Sequence, residues 1–188
     1  AFDKVEAFLS KELPSHYTYH SIEHFRDVVK QVERIAKKEK VDKSGILDLK
    51  LAAWLHDVGY IWGPIDHEKK SVEYAKVILN EMKFPKSKVS LITGMIMATK
   101  MPQSPKNHFE QVICDADLDY LGRNDFEEIS SNLLKELEIE QKITNLNWLK
   151  IQEEFLKSHS YFTLTSQKSR EKNKQKRLRK IKDILKTA

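Results

Sequence analysis

The chain has 188 residues, 40% of them apolar and 32% charged, a balance that excludes a disordered polymer and suits one folded domain. No apolar run approaches the roughly 20 residues a bilayer span needs, and no amino-terminal segment has the basic start, apolar core and small-residue cleavage site of a leader. The cytoplasm is therefore the expected setting. A single cysteine, Cys114, excludes an intrachain disulfide framework and a thiolate-rich zinc site, so any metal must be held by His, Asp and Glu.

Only five Gly and five Pro punctuate the sequence, and its apolar residues recur at intervals of three and four, so the predicted fold is all-α. Ser21 caps a helix whose buried stripe is Ile22, Phe25, Val28, Val29, Val32, Ile35 and Ala36, with Lys37, Lys38 and Lys40 at the end its dipole favours. Ser44 opens a helix running through Leu55, apolar on nearly every side and therefore central, with His56-Asp57 in its last turn. It stops around Gly59-Tyr60 and the Gly63-Pro64 break. A helix from about His67 to Met82 follows, then one from Ser87 to about Thr99 that turns Val89, Ile92, Met95 and Ile96 inward. Pro85, Pro102 and Pro105 mark the joints. Next, FEQVICDADLDYLG reads as one further buried helix, Asn124 or Asp125 starts another, and Asn145 caps one carrying Leu149 and Phe155.

The net charge of +5 is concentrated at the carboxyl end, SREKNKQKRLRKIKDILKTA, and the body is close to neutral. Leu178, Ile181 and Leu185 lie at helical spacing there, so the segment is expected to be an amphipathic helix of about 166–188 docked on a core of about 15–165, all within one domain. A nucleic-acid-binding arm is the less favoured reading of the same charge.

The chemistry concentrates on His24, His56, Asp57 and Asp117, which separate helices can bring into one site, as helical bundles do when they hold metals. Taken alone, His24 reads more readily as a surface histidine, and His56-Asp57 as a hydrogen-bonded pair at a helix end. Asp57 resists that reading, because it follows Leu51, Ala52, Ala53, Trp54 and Leu55, where an unpaired carboxylate would cost about several kcal/mol. Asp115, Asp117 and Asp119 pose the same difficulty together, beside Val112, Ile113, Leu118 and Leu121. A cation would relieve their repulsion, with Asp115 or Asp119 left to cap or to face solvent.

The pattern H…HD…D resembles the HD-domain superfamily of metal-dependent phosphohydrolases. YHSIEHFRDVV is similar to the helix that supplies the first metal histidine, LAAWLHDVGY to the helix named for its His-Asp pair, and ICDADLDYLG to the helix that supplies the last aspartate. The resemblance implies a single-domain helical bundle with an interhelical metal site whose ligands are His24, His56, Asp57 and Asp117. Asp117 is preferred to Asp115 because it follows an alanine, as in similar segments. Tyr19-His20 through Val28 is also similar to the YHNxxHAxDV segment of cyclic-nucleotide phosphodiesterases, with Phe25 in place of the alanine. That likeness implies His20 as general acid; a capping or surface histidine is the competing reading. His67, opening HEKKSVEYAKVIL, resembles the extra histidine of two-metal relatives, but Met95, Ala98, Thr99 and Lys100 stand where those relatives carry more histidines.

The donor set makes the expected cofactor a divalent ion among Mn, Fe, Co, Zn and Mg, and the resemblance implies hydrolysis of a nucleotide phosphate ester, with a cyclic-nucleotide-like phosphodiester favoured over a monoester. His20, Asp57 and Lys100 are the catalytic candidates. His67, Lys100, His159 and Arg170 are the candidates for gripping substrate, with Tyr161 and Phe162 available to stack on a base. The expected partner is a small nucleotide rather than nucleic acid or membrane, and a homo-oligomer is left open. A nucleotide-sensing module that turns nothing over is the alternative.

Overall fold

The computed structural model describes residues 2–140 and 143–187, and among these there are nine α-helices, two short 3-10 helices and no strand. The first helix, α1 (Phe2–Glu12), precedes the expected core and buries Val5 and Leu9. Helix α2 (Ile22–Lys38) follows Ser21, whose side chain makes no capping bond, and buries Phe25, Val28, Val32, Ile35 and Ala36 along one stripe. Helix α3 (Lys43–Leu55) begins one residue earlier than the sequence suggests. Its cap is Asp42 rather than Ser44, with a carboxylate oxygen accepting from the Gly45 N–H at 2.6 Å.

Helix α3 is apolar around its circumference because it is the centre of the molecule: Leu49, Ala52, Ala53 and Leu55 have no exposed surface. It packs against α1, α2, α5 (Lys86–Ala98) and α6 (His108–Asp117). Between α3 and α4 (His67–Glu81) the chain makes a 3-10 helix, Val58–Trp62. Gly59 is obligatory in this turn. A Cβ there would sit 2.0 Å from the His67 carbonyl oxygen, so only glycine lets the start of α4 close onto the end of α3.

The run FEQVICDADLDYLG is not one helix. Helix α6 ends at Asp117, and after Leu118 the chain tightens into a 3-10 turn, Asp119–Gly122. Helices α7 (Phe126–Glu140), α8 (Asn145–Ser158) and α9 (Leu164–Thr187) complete the chain. The cap of α8 is Thr144 rather than Asn145. Helix α9 docks through Leu178 and Ile181, and its expected last residue, Ala188, lies outside the described residues. No described helix is long and apolar enough to cross a membrane.

Buried apolar side chains form two clusters. The larger gathers α1 to α6, and the smaller joins Tyr19, Leu118, Tyr120, Leu121, Phe126, Leu156, Tyr161, Leu178 and Ile181. Ala116 belongs to the first and Leu118 to the second, so Asp117 stands on the seam between them.

Candidate metal centre

Four side chains meet on that seam: His24 in the first turn of α2, His56 and Asp57 where α3 ends, and Asp117 at the end of α6. Each offers a ligand atom, and these atoms all lie within 4.8 Å of one another. His24 Nε2 is 3.3 Å from His56 Nε2, 3.5 Å from Asp57 Oδ2 and 3.4 Å from Asp117 Oδ1. His56 Nε2 is 3.1 Å from Asp57 Oδ2 and 3.5 Å from Asp117 Oδ1.

Adjacent residues on a regular helix point about 100° apart. His56 and Asp57 converge because Asp57 has left the helix: His56 keeps α geometry at φ −60°, ψ −41°, whereas Asp57 turns to φ −112°, ψ 12°. The His56 Nδ1 donates to the Ala53 carbonyl at 2.8 Å, which leaves Nε2 as the ring nitrogen aimed at the cluster and able to ligate once deprotonated. His67 is held in the same manner, its Nδ1 donating to the Pro64 carbonyl at 3.0 Å and its Nε2 set 3.3 Å from Asp57 Oδ1 and 3.5 Å from Glu68 Oε1.

The electrostatics call for positive charge at the centre. Burial works to protonate Asp57, but the adjacent imidazoles, His56 foremost, hold its carboxyl well below the usual range. Asp117 is likewise pushed down to about 2 against the effect of its burial, by His24 and His56. Burial works to discharge those two imidazoles, yet the carboxylates raise both, His56 well above its ordinary value. The imidazoles thus hold both carboxylates, buried Asp57 and partly buried Asp117, in the ionised form by charge and hydrogen bonding. Two imidazole nitrogens and two carboxylate oxygens are a donor set that fits a borderline divalent ion and tolerates Mg.

The other two aspartates of the DADLD run take different partners, and neither reaches solvent. Asp115 is fully buried and accepts from the Phe162 and Thr163 backbone N–H groups, both at 2.8 Å, and from the Thr163 hydroxyl at 2.6 Å. Asp119, also fully buried, receives Arg34 at 2.6 Å and Arg170 at 2.9 Å. Arginines and backbone amides therefore relieve the repulsion that the sequence suggested a cation would relieve.

His20 lies against the cluster with its Nε2 3.8 Å from Asp57 Oδ2, and its ring stacks on Tyr60 at 3.7 Å. Its Nδ1 is bound by buried Glu136, whose other oxygen accepts from the Tyr19 and His20 backbone N–H groups at 3.0 and 3.1 Å. Burial opposes ionisation of Glu136, but His20 and these amides keep it below its usual range. The sequence reading missed Glu136. The available signal was a glutamate on the apolar stripe of α7, between Leu133 and Leu137.

Three sequence candidates are not brought to the cluster. Lys100 pairs with Asp66 at 3.3 Å. Arg170 is spent on Asp119. His159 is buried against Lys174, whose Nζ lies 3.3 Å from its Nδ1. Tyr161 is buried, its hydroxyl 3.3 Å from the Leu118 carbonyl, and the Phe162 backbone serves Asp115.

A cavity of about 240 Å³ opens beside the cluster. Asp57, Asp117, His20, His67, Glu68 and Tyr60 form one part of its wall, and α7 and α8 form much of the rest.

No family model matches the sequence, and no curated protein matches it significantly. Three solved structures share its fold. One is described as a predicted HD superfamily hydrolase from an uncultured Thermotogales bacterium, with TM-score 0.65 and 20% identity over 99% of this chain and 90% of that one. The second is a Lactobacillus plantarum protein, with TM-score 0.66 and 16% identity over 100% of this chain and 97% of that one. The third, from Listeria innocua, gives TM-score 0.64 and 17% identity over 100% of this chain and 99% of that one. The chain therefore has the HD-domain fold, with a His/Asp cluster able to hold a divalent ion where three of its helices meet.

Proposed function

We propose that the protein is a metal-dependent phosphohydrolase that cleaves a phosphate ester of a nucleotide, a phosphodiester in preference to a monoester. The observation that carries this reading is the convergence of His24, His56, Asp57 and Asp117 in one cluster, of which Asp57 and Asp117 face a cavity that His20 also lines. The description of the Thermotogales relative as a hydrolase supports the same reaction class.

When bound, a divalent ion supplies Lewis-acid charge for a phosphoryl oxygen and lowers the pKa of a water. His24, His56, Asp57 and Asp117 would hold that ion. Asp57 Oδ1, turned toward His67, is placed to accept a hydrogen bond from the attacking water and so orient it. Glu136 fixes the His20 ring, and Tyr60 supports its face, so that Nε2 points toward the cluster. A proton carried on that Nε2 is in position to pass to the leaving oxygen of the ester. That proton would serve a monoester or a diester alike; the diester is preferred on the likeness of Tyr19-His20 through Val28 to the corresponding segment of cyclic-nucleotide phosphodiesterases.

The test is phosphate or nucleotide release from 2′,3′- and 3′,5′-cyclic mononucleotides and nucleoside monophosphates with Mn, Fe, Co, Zn or Mg added singly. Metal-dependent release that disappears in Asp57→Ala is expected. Tight nucleotide binding with no release under any metal would favour the sensing module instead.

A further inference from the structure

The cavity wall is uneven in a way that bears on the substrate. Among the described residues no lysine or arginine lines it, and the part built by α7 and α8 presents Phe126, Leu133, Leu137, Trp148, Phe155 and Leu156. Of the cationic candidates from the sequence, Arg170 is held by fully buried Asp119, and Lys100, partly exposed and paired with exposed Asp66, does not line the cavity. A first phosphoryl group would meet His20 and His67, and the charge of an ion that His24, His56, Asp57 and Asp117 would hold. A second or third would meet Glu68 or hydrocarbon, and a buried phosphate without a cationic partner is strongly disfavoured.

Two polar side chains interrupt the α7 and α8 surface. The Gln152 amide donates to the Ser130 hydroxyl oxygen, and both residues line the cavity. The Ser130 hydroxyl hydrogen and the Gln152 carbonyl oxygen have no partner among the described residues, so a donor and an acceptor stand side by side in an apolar wall. At about 240 Å³ the space lies below the roughly 300–1,000 Å³ typical of sites for drug-sized ligands.

We propose that the cavity selects esters with one phosphoryl group and a flat, uncharged ring system of mononucleotide size or smaller, that Ser130 and Gln152 read the polar edge of that ring, and that polyphosphates are rejected. This rests on the phosphohydrolase reading for the reaction, while the binding preference belongs to the cavity alone. A lone phosphoryl group satisfies the cationic end. The ring replaces water against the aromatic wall and gains apolar burial. Sugar phosphates without a base would leave that wall unfilled and offer hydroxyls with too few partners.

The test is binding of 5′-AMP, 1-naphthyl phosphate, ribose 5-phosphate and ATP to the Mn-loaded protein, read by tryptophan fluorescence on mixing, with phosphate release followed afterwards. AMP and 1-naphthyl phosphate are expected to bind about tenfold or more tightly than ribose 5-phosphate, with ATP no tighter than AMP. Gln152→Leu should weaken AMP by about tenfold and leave 1-naphthyl phosphate unchanged; Ser130→Ala provides the second variant, and the melting temperature of each reports folding. ATP binding tenfold more tightly than AMP, with the advantage lost in Lys100→Ala, would overturn the proposal. So would ribose 5-phosphate binding as well as AMP, or Gln152→Leu and Ser130→Ala both leaving AMP affinity unchanged. The expected order of affinities, with no product released from these esters or from 2′,3′- and 3′,5′-cyclic mononucleotides, would sink the hydrolase reading and leave the cavity assignment standing.

Discussion

The Nε2 atoms of His24 and His56 face each other at 3.3 Å, with one oxygen of Asp57 and one of Asp117 closing the ring around them. Four ligand-capable atoms so placed are expected to bind Mn more tightly in the folded than in the unfolded chain. At free Mn about 100 times its Kd the protein should gain about 2.7 kcal/mol of stability. Calorimetric melts with Mn and with EDTA read this, and Asp57→Ala should abolish the difference; a Mn-independent melt of the parent protein would refute the centre.

Metal affinity should rise with pH. The free site holds raised imidazole pKa values on His24 and His56, so protons occupy those nitrogens in acid and must leave before the ring nitrogens can ligate. Titration of Mn between pH 6 and 8 is expected to show up to about tenfold tighter binding per pH unit for each proton displaced, with proton release measurable in weak buffer. Affinity that is flat or falls with pH would contradict the assignment.

His20→Ala should leave Mn binding intact and reduce turnover of alkyl phosphodiesters by roughly 10²- to 10⁴-fold. A p-nitrophenyl ester should suffer far less, since its leaving group departs without a proton. Glu136→Gln, which keeps an acceptor but loses the charge, should lower kcat by about 10- to 100-fold with KM little changed. Loss of Mn from His20→Ala would make His20 a ligand instead.

The three aspartates of the DADLD run should separate by phenotype. Asp119→Ala leaves Arg34 and Arg170 facing a buried gap and is expected to cost about 3–5 kcal/mol without removing Mn binding. Asp117→Ala should remove Mn binding at little cost to the metal-free fold. Chemical denaturation with and without Mn distinguishes the two, and a Mn defect in Asp119→Ala would reassign the ligand.

His159 sets an acid limb on stability. Burial, reinforced by the Lys174 ammonium, pushes its pKa down to about 4, so the folded protein keeps it neutral while the unfolded chain protonates near the ordinary value of about 6.5. The unfolded state then binds more protons between these values. The contribution is complete above about pH 6.5 and is lost as the pH falls toward 4, a change on the order of 2–3 kcal/mol. His159→Phe should flatten that part of the stability–pH curve; an unchanged slope would show that other groups produce it.

Much of this was legible in the sequence because the cause was local. The stripe of α2 and the all-round apolarity of α3 follow from residue spacing, and Asp57 and the DADLD aspartates stood out as charges among core side chains, while His24 and the choice of Asp117 came from the family resemblance. What was hidden depended on contacts distant in sequence. Arg170 looked like a substrate residue because nothing near it in the chain reveals Asp119, and His159 because Lys174 lies fifteen residues on. Glu136 escaped notice since its partner, His20, is 116 residues away. Caps were misread by a residue or two: Asp42 and Ser44, like Thr144 and Asn145, are neighbouring side chains of similar capping ability, and only the realised turn chooses between them.

The departure of the chain from α geometry at Asp57, locked by Gly59 against the start of α4, separates two tasks that a mid-helix ligand would combine. His56 is anchored by the rigid body of α3, whereas the aim of Asp57 is set by a turn of a few residues. Changes at the outer end of that turn can therefore retune the bite of the pair toward a larger or smaller ion while Gly59 and the core residue Val58 stay as they are, which makes residues 61–63 the natural handle for altering metal preference by design.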